Sequence, residues 1–224
     1  MLVIALDTST PAVTAGVVEL AANGPRTLAQ RVTVNARAHG ELLTPHLQDA
    51  LAEAGHRLPD AEAVVVGSGP GPFTGLRAGM VTAAALGHSL GIPVHPVCGL
   101  DAVAAVADGR GPLLVATDAR RREVFWAAYS AERERLAGPH VRRPSEVPDE
   151  IAEHGIALAA GEKAADIAGC TAVEPSYPTP FGLVAVAAAE LRSGAEPAPL
   201  VPVYLRRPDA AEPGPRKPVT GGQR

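Results

Sequence analysis

The sequence predicts an α/β protein built of two related halves, and three observations lead there. First, the chain as far as Ala107 reads as β-β-β-α-β-α-β-α. Second, Leu113–Asp118 (LLVATD) repeats Leu2–Asp7 (LVIALD) at an offset of 111 positions, half of the 224-residue chain. Third, 46% of the residues are apolar and 20% charged, a globular balance, but only seven are aromatic, so the core must be built from Val, Leu and Ala.

The elements follow in order. Leu2–Leu6 is a continuous apolar run, as in a strand buried on both faces. The turn Asp7–Pro11 leads to a strand at Val13–Leu20, and the turn Asn23–Pro25 to a third at Thr27–Val34, a meander. Leu42–Ala54 has apolar residues at helical spacing (Leu43, Leu47, Ala50, Leu51, Ala54) and Gly55 to end it. Pro45 is either its first helical residue behind a Thr44 cap or the site of a kink after an earlier turn. A short buried strand, Ala63–Val66, runs into a Gly-rich loop at Gly67–Gly75 and a long helix, Thr74–Leu90, closed by Gly91 and Pro93. Val94–Val97 is a strand and Leu100–Ala107 a helix.

Asp108–Pro112 is a natural boundary, after which the opening repeats: strand, terminal Asp118, and a second strand at Val124–Tyr129 matching Val13–Val18. A strand, an Asp at its end and a hairpin back, met twice, indicate duplication; the competing reading is coincidence between two short apolar runs. Beyond it, Glu132–Arg143 reads as charged and partly exposed, Pro144–His154 and Glu162–Ala168 as short helices, Gly155–Ala160 as a strand and Phe181–Leu191 as an Ala-rich helix. Val201–Arg207 has enough apolar character to dock, and Pro208–Arg224, rich in Pro, Gly and charge, is expected to be disordered.

A net charge of −4 argues against a stand-alone nucleic-acid binder, which needs a basic face and aromatic platforms. Cys98 and Cys170 form no CxxC or metal-ligand spacing and read as reduced, buried thiols. No apolar run approaches the ~18 residues of a membrane span, and the start reads as a strand, not a signal peptide.

Few residues offer chemistry by spacing alone. The Gly-rich loop is neither a Walker A loop nor GxGxxG, and Pro70 and Pro72 lack the N–H that a phosphate cradle uses. It is either an anion site at a helix N-terminus or a sharp turn capped by Thr74. Gly75, Gly79, Ala83 and Gly87 form one small-residue stripe along the following helix, which suits close packing on the protein's own sheet or against another subunit. His39 and His46 are seven apart, too far for a two-histidine metal grip on one helix. Asp7 and Asp118 end matched strands, where a phosphate-transfer enzyme would hold Mg²⁺, but Ala119-Arg120-Arg121-Arg122 offers no phosphate cradle beside Asp118.

Four segments carry a resemblance: Ile4–Thr10 (IALDTST), His39–Pro45 (HGELLTP), Gly69–Arg77 (GPGPFTGLR) and Asp118–Phe125 (DARRREVF), with Pro202–Arg206 (PVYLR) as a fitting end. Together they resemble the bacterial TsaB (YeaZ) family, a subunit of the machinery that makes N6-threonylcarbamoyladenosine at position 37 of tRNA. Within that resemblance the family motif loop comprises Gly69, Gly71, Phe73, Thr74 and Arg77, with Pro72 where the family usually has Ser. The resemblance implies an actin/Hsp70/sugar-kinase-like fold (duplicated RNase H-like), two lobes each with a mixed sheet and flanking helices. It places the first lobe at residues 1–108 and a degenerate second lobe at 109–207, with helix 181–191 able to pack back on the first.

It also implies a non-catalytic paralogue of TsaD. The TsaD metal motif falls on Cys98–Val103, where Gly99 and Val103 occupy the ligand positions and offer no ligating side chain. Asp7 and Asp118 are then vestigial phosphate and Mg²⁺ positions, and no catalytic residue, metal or cofactor is expected. The expected partner is TsaD as a heterodimer, with the ATPase TsaE in the full complex, a homodimer when alone, and tRNA met only through the complex. The expected compartment is the cytoplasm, with no membrane contact. The candidate partner interface is Leu43, Leu47 and Leu51 on one helix and Gly75, Gly79, Ala83 and Gly87 on the next. The alternative is an ATP-dependent kinase or ATPase, or a metallopeptidase, of the same fold.

Overall fold

A computed structural model describes residues 1–206; the tail expected from Pro208 onward lies outside the described residues. Two five-stranded sheets share one topology. In the first, β1 (Leu2–Asp7), β2 (Ala12–Ala21), β3 (Gly24–Val34), β4 (Ala63–Gly67) and β5 (Val94–Val97) lie in the order β3-β2-β1-β4-β5. In the second, β6 (Leu113–Asp118), β7 (Val124–Tyr129), β8 (Arg135–Arg142), β9 (Leu158–Ala160) and β10 (Thr171–Ala172) lie in the order β10-β9-β6-β7-β8. Each begins with an antiparallel meander and continues with parallel strands on the far side of its first strand. The repeat read from LVIALD and LLVATD is therefore a repeat of topology. Asp7 faces Thr14 across its hairpin, and Asp118 faces Val124 across the matching one.

The first sheet is covered on both faces, as the unbroken apolar run of β1 requires. On one side α1 (His39–Ala54) and α2 (Phe73–Leu90) set Leu43, Leu47, Leu51, Leu76 and Met80 against Ile4, Leu6, Val64 and Val66. On the other, α5 (Pro180–Ser193) sets Leu183, Val184, Ala187 and Leu191 against Val3, Ala5, Val18 and Val65. The period of two along β1 sends alternate side chains to the two layers. The short α3 (Gly99–Ala104) joins the lobes: it packs on α5, and its Leu100 and Val103 meet Leu113, Val115 and Tyr129 of the second sheet. In the second lobe α4 (Val147–Ile151) packs Val147 and Ile151 against Trp126 and Leu114.

Several expectations need correction. Glu132–Arg143 is partly exposed, as expected, but it also contains a strand that was not assigned, β8, an edge strand interrupted by irregular pairing to β7. The helix expected from Leu42 starts at His39 and contains Pro45, so Thr44 is no cap. α2 starts at Phe73 behind Pro72, with no side-chain cap, and Thr74 lies exposed in its first turn. α3 ends at Ala104, not Ala107. Cys98 and Cys170 are both partly exposed.

The candidate interface is the largest correction. Leu43, Leu47 and Leu51 belong to the core between helices and sheet, and Gly75, Gly79, Ala83 and Gly87 are all buried within this chain. The stripe faces inward: a Cβ at Gly79 would collide with the Thr8 hydroxyl, and one at Gly87 with Val94. Small residues are needed there so that α2 can lie close on its own lobe.

Candidate functional site

The motif segments converge at the ends of β1 and β4. After β1 the chain turns tightly: Ser9 donates to the Asp7 carboxylate from its N–H (3.0 Å) and from its hydroxyl (3.0 and 2.9 Å). Asp7 is 0% exposed. Burial raises its pKa from 3.8 to about 7, against the smaller opposing pull of the Ser9 hydrogen bonds.

The Gly-rich loop closes over this turn. A Cβ at Gly67 would strike Asp7 Oδ2, and one at Gly71 the Ser9 carbonyl. Here glycine permits close backbone approach rather than cradling a phosphate. Gly99 N–H donates to the Gly69 carbonyl (2.8 Å), tying the start of α3 to the same loop. The Thr8 hydroxyl donates to the Gly75 carbonyl (2.7 Å) and accepts from Gly79 N–H (3.0 Å), fixing α2 to the turn. His39 pairs through Nε2 with the Thr10 carbonyl (2.8 Å), so α1 is fixed there too. Three of the four motif segments thus lock one another.

The fourth, the β6–β7 hairpin, turns on Arg120, Arg121 and Arg122, all at positive φ (59°, 55° and 61°). Three successive non-glycine residues in that region are costly, and the turn is closed by Ala119 N–H to the Glu123 carbonyl and Glu123 N–H to the Arg120 carbonyl (each 3.0 Å). Arg120 and Asp118 line a cleft of about 390 Å³ between the lobes, with Thr10, Arg37, His39 and Thr74. Asp7 is not on its wall. The two strand-end aspartates therefore do not share a cavity: one lines the cleft and the other is sealed beneath the loop.

Among the described residues no group of three or more His, Cys, Asp or Glu is placed to hold a metal ion. Gly99 is backed by Ser9, whose Oγ would lie 2.8 Å from an added Cβ, and Val103 is fully buried. The positions compared with metal ligands are filled by packing.

Two features were not read from the sequence. One is a polar joint between the lobes. Tyr129 OH donates to Asp101 Oδ1 (2.8 Å), Arg135 Nε donates to the same carboxylate (2.9 Å), and Arg133 donates to the carbonyls of Ala107, Gly109 and Gly111. Cys98, half-buried beside this joint, is held as the neutral thiol: loss of solvent around it, and then Asp101, push it up to about 11. The other feature involves Phe73 and Arg77 of the motif loop. Tyr204 packs edge-on to Phe73 with centroids 4.5 Å apart and accepts a hydrogen bond from Arg77 Nε (2.8 Å). The aromatic and basic residue types were visible, but nothing local links positions 127 residues apart.

Comparison with known proteins agrees with this architecture. The family model for TsaD, tRNA N6-adenosine threonylcarbamoyltransferase, matches residues 28–192, well over half of the chain. An uncharacterized protein of Mycobacterium bovis is 52% identical over 208 residues, 93% of each chain. One of Mycobacterium leprae is 51% identical over 219 residues, covering 98% of this chain but 57% of that protein's length. The Escherichia coli protein named tRNA threonylcarbamoyladenosine biosynthesis protein TsaB is 38% identical over 109 residues, 45% of this chain and 47% of that protein. The structure of YeaZ from Pseudomonas aeruginosa superposes with a TM-score of 0.74 at 27% identity, covering 91% of this chain and all of that one. Among the described residues no helix is long and apolar enough to cross a membrane.

Proposed function

We propose, from the premise that this chain belongs to the TsaB (YeaZ) group of the TsaD family, that it serves threonylcarbamoyladenosine formation in tRNA as a non-catalytic subunit that binds and supports TsaD. The observation that carries the non-catalytic part is the filling of the site positions. Gly99 and Val103 offer no ligand, and Asp7 is closed off from the cleft by Gly67 and Gly71. In this reading the first lobe, residues 1–108 with helix 181–191 packed back on it, supplies the partner-binding helices, and the rest of residues 109–207 belongs to the second. The chain pairs with itself when alone, works in the cytoplasm, joins TsaE in the full complex and meets tRNA only there.

With the small-residue stripe facing inward, we place the partner on the outer face of α2, where Arg77, Val81, Ala84, Ala85 and His88 are exposed. Val81 is 67% exposed and shares its helix face with exposed Ala84 and Ala85, an apolar strip that association would cover. Light scattering of the purified chain, alone and mixed with TsaD from the same organism, tests this. Wild type should pair, and the mixture, supplied with TsaE and a threonylcarbamoyl donor, should modify tRNA while neither protein alone does so under the same conditions. Val81→Asp should leave the melting temperature within ~1–2 °C, as surface substitutions do, and abolish pairing. Failure of wild type to bind TsaD, or tRNA modification by this chain alone, overturns the reading.

A further inference from the structure

The Gly69–Arg77 segment looks like a ligand loop, yet its two large side chains are occupied from within the chain. Leu200–Arg206 has no regular secondary structure and crosses the molecule as a strap. At its start Leu200 packs on the core under α1 and α2. In the middle Val203 N–H donates to the Ser68 carbonyl (2.8 Å), immediately before the loop. Tyr204 then takes up both motif side chains: its ring meets Phe73, its hydroxyl accepts from Arg77, and the Arg77 guanidinium carbon lies 5.6 Å from its centroid and 5.8 Å from that of Phe73. The strap next enters the second lobe. Arg206 forms an ion pair with Glu123. Leu205 and Arg206 also line a pocket of about 150 Å³ with Ala119, Arg120 and Phe125 of the hairpin and Thr74 of α2.

The strap therefore touches both lobes at the mouth of the inter-lobe cleft, and it ends on the hairpin whose backbone is the most strained described in the chain. The strap is thus one continuous tie between that hairpin, through Glu123, and the first turn of α2, through Phe73 and Arg77. We propose that Gly69–Arg77 is the catch, and Leu200–Arg206 the bolt, of a latch that fixes the arginine hairpin of the second lobe against the N-terminus of α2. When the bolt is seated, Arg120 is held at the cleft wall. When Tyr204 leaves Phe73 and Arg77, the hairpin is released with the loop. The latch makes one conformational unit of two segments on different lobes, whatever the chain binds.

Hydrogen exchange of the full chain reads this directly. Tyr204→Ala should speed exchange about tenfold in peptides covering 67–77 and also in those covering 119–125, while the strands of both cores keep their protection. Glu123→Gln tests the bolt from the other end. It lies in the second lobe, and it should speed exchange at 67–77 in the first. Tyr204→Phe keeps the ring but loses the Arg77 hydrogen bond and should fall between wild type and Tyr204→Ala at both segments. If Tyr204→Ala leaves 119–125 unchanged, or if the effect of Glu123→Gln stays within 119–125, the two segments are independent and there is no latch. If Tyr204→Ala exposes the core strands as well, the milder pair Tyr204→Phe and Glu123→Gln decides by the same criterion.

Discussion

At pH 8, Asp7→Asn raises the unfolding free energy by about 2–4 kcal/mol. Asp7 is fully buried, its oxygens accept from the Ser9 N–H and hydroxyl, and burial lifts its pKa from 3.8 to about 7. Below about pH 4 the carboxyl is neutral in both folded and unfolded chains and carries no penalty. Between about 4 and 7 the folded protein keeps a proton that the unfolded chain has released, so this group makes stability fall as pH rises. Above 7 the cost is complete: about three pK units at about 1.4 kcal/mol each. Asn keeps an acceptor for the Ser9 N–H, and it stands across the strand pair from Thr14, whose buried hydroxyl has no partner among the described residues. Denaturant titrations at pH 5 and pH 8 check this. The stability gain on substitution should be largest at pH 8 and shrink toward pH 5; a gain independent of pH would show that the carboxyl is not the source.

Gly79→Leu lowers stability by about 3 kcal/mol or more, a fall of roughly 10 °C in melting temperature for a chain of this size. The helix itself gains up to ~1 kcal/mol from losing a glycine, so the sign reports packing. The new Cβ meets Thr8 Oγ1, the atom that bridges Gly75 and Gly79. Displacing Thr8 overpacks the contact and leaves buried backbone groups without partners, ~1–3 kcal/mol for the packing and a similar amount for the lost hydrogen bonds. A double-mutant cycle isolates the contact: Gly79→Ala should cost less in a Thr8→Ala background than alone. A Gly79→Leu protein that melts like wild type but no longer self-associates would falsify this inward placement and return the stripe to a subunit interface.

The legible parts of the fold were those written in local pattern. The unbroken apolar run of β1, the helical spacing of Leu43, Leu47 and Leu51, and the punctuation by Gly55 and Gly91 each place an element without reference to the rest. The repeat of LVIALD as LLVATD carried the two-sheet topology, because a strand with a terminal Asp and a return hairpin is a whole unit. β8 escaped because an edge strand with irregular pairing need not alternate. The direction of the Gly75–Gly87 stripe escaped for another reason. Periodicity shows that four small residues share a face but not what that face meets, and the answer lay with Thr8 and Val94. The Tyr204 contact with Phe73 and Arg77 joins segments that only the finished fold brings together.

The position of α5 has a consequence for how this chain comes into being. The layer that seals the second face of the first sheet is made by residues 180–193, against strands completed by Val97. During synthesis, Val3, Ala5, Val18 and Val65 therefore face water until almost the whole described chain has left the ribosome. Contacts of such long sequence range slow folding and leave apolar strands open to association in the meantime. Translation that halts before Phe181 should yield a nascent chain held by chaperones, and one from which Leu191 has emerged should release it.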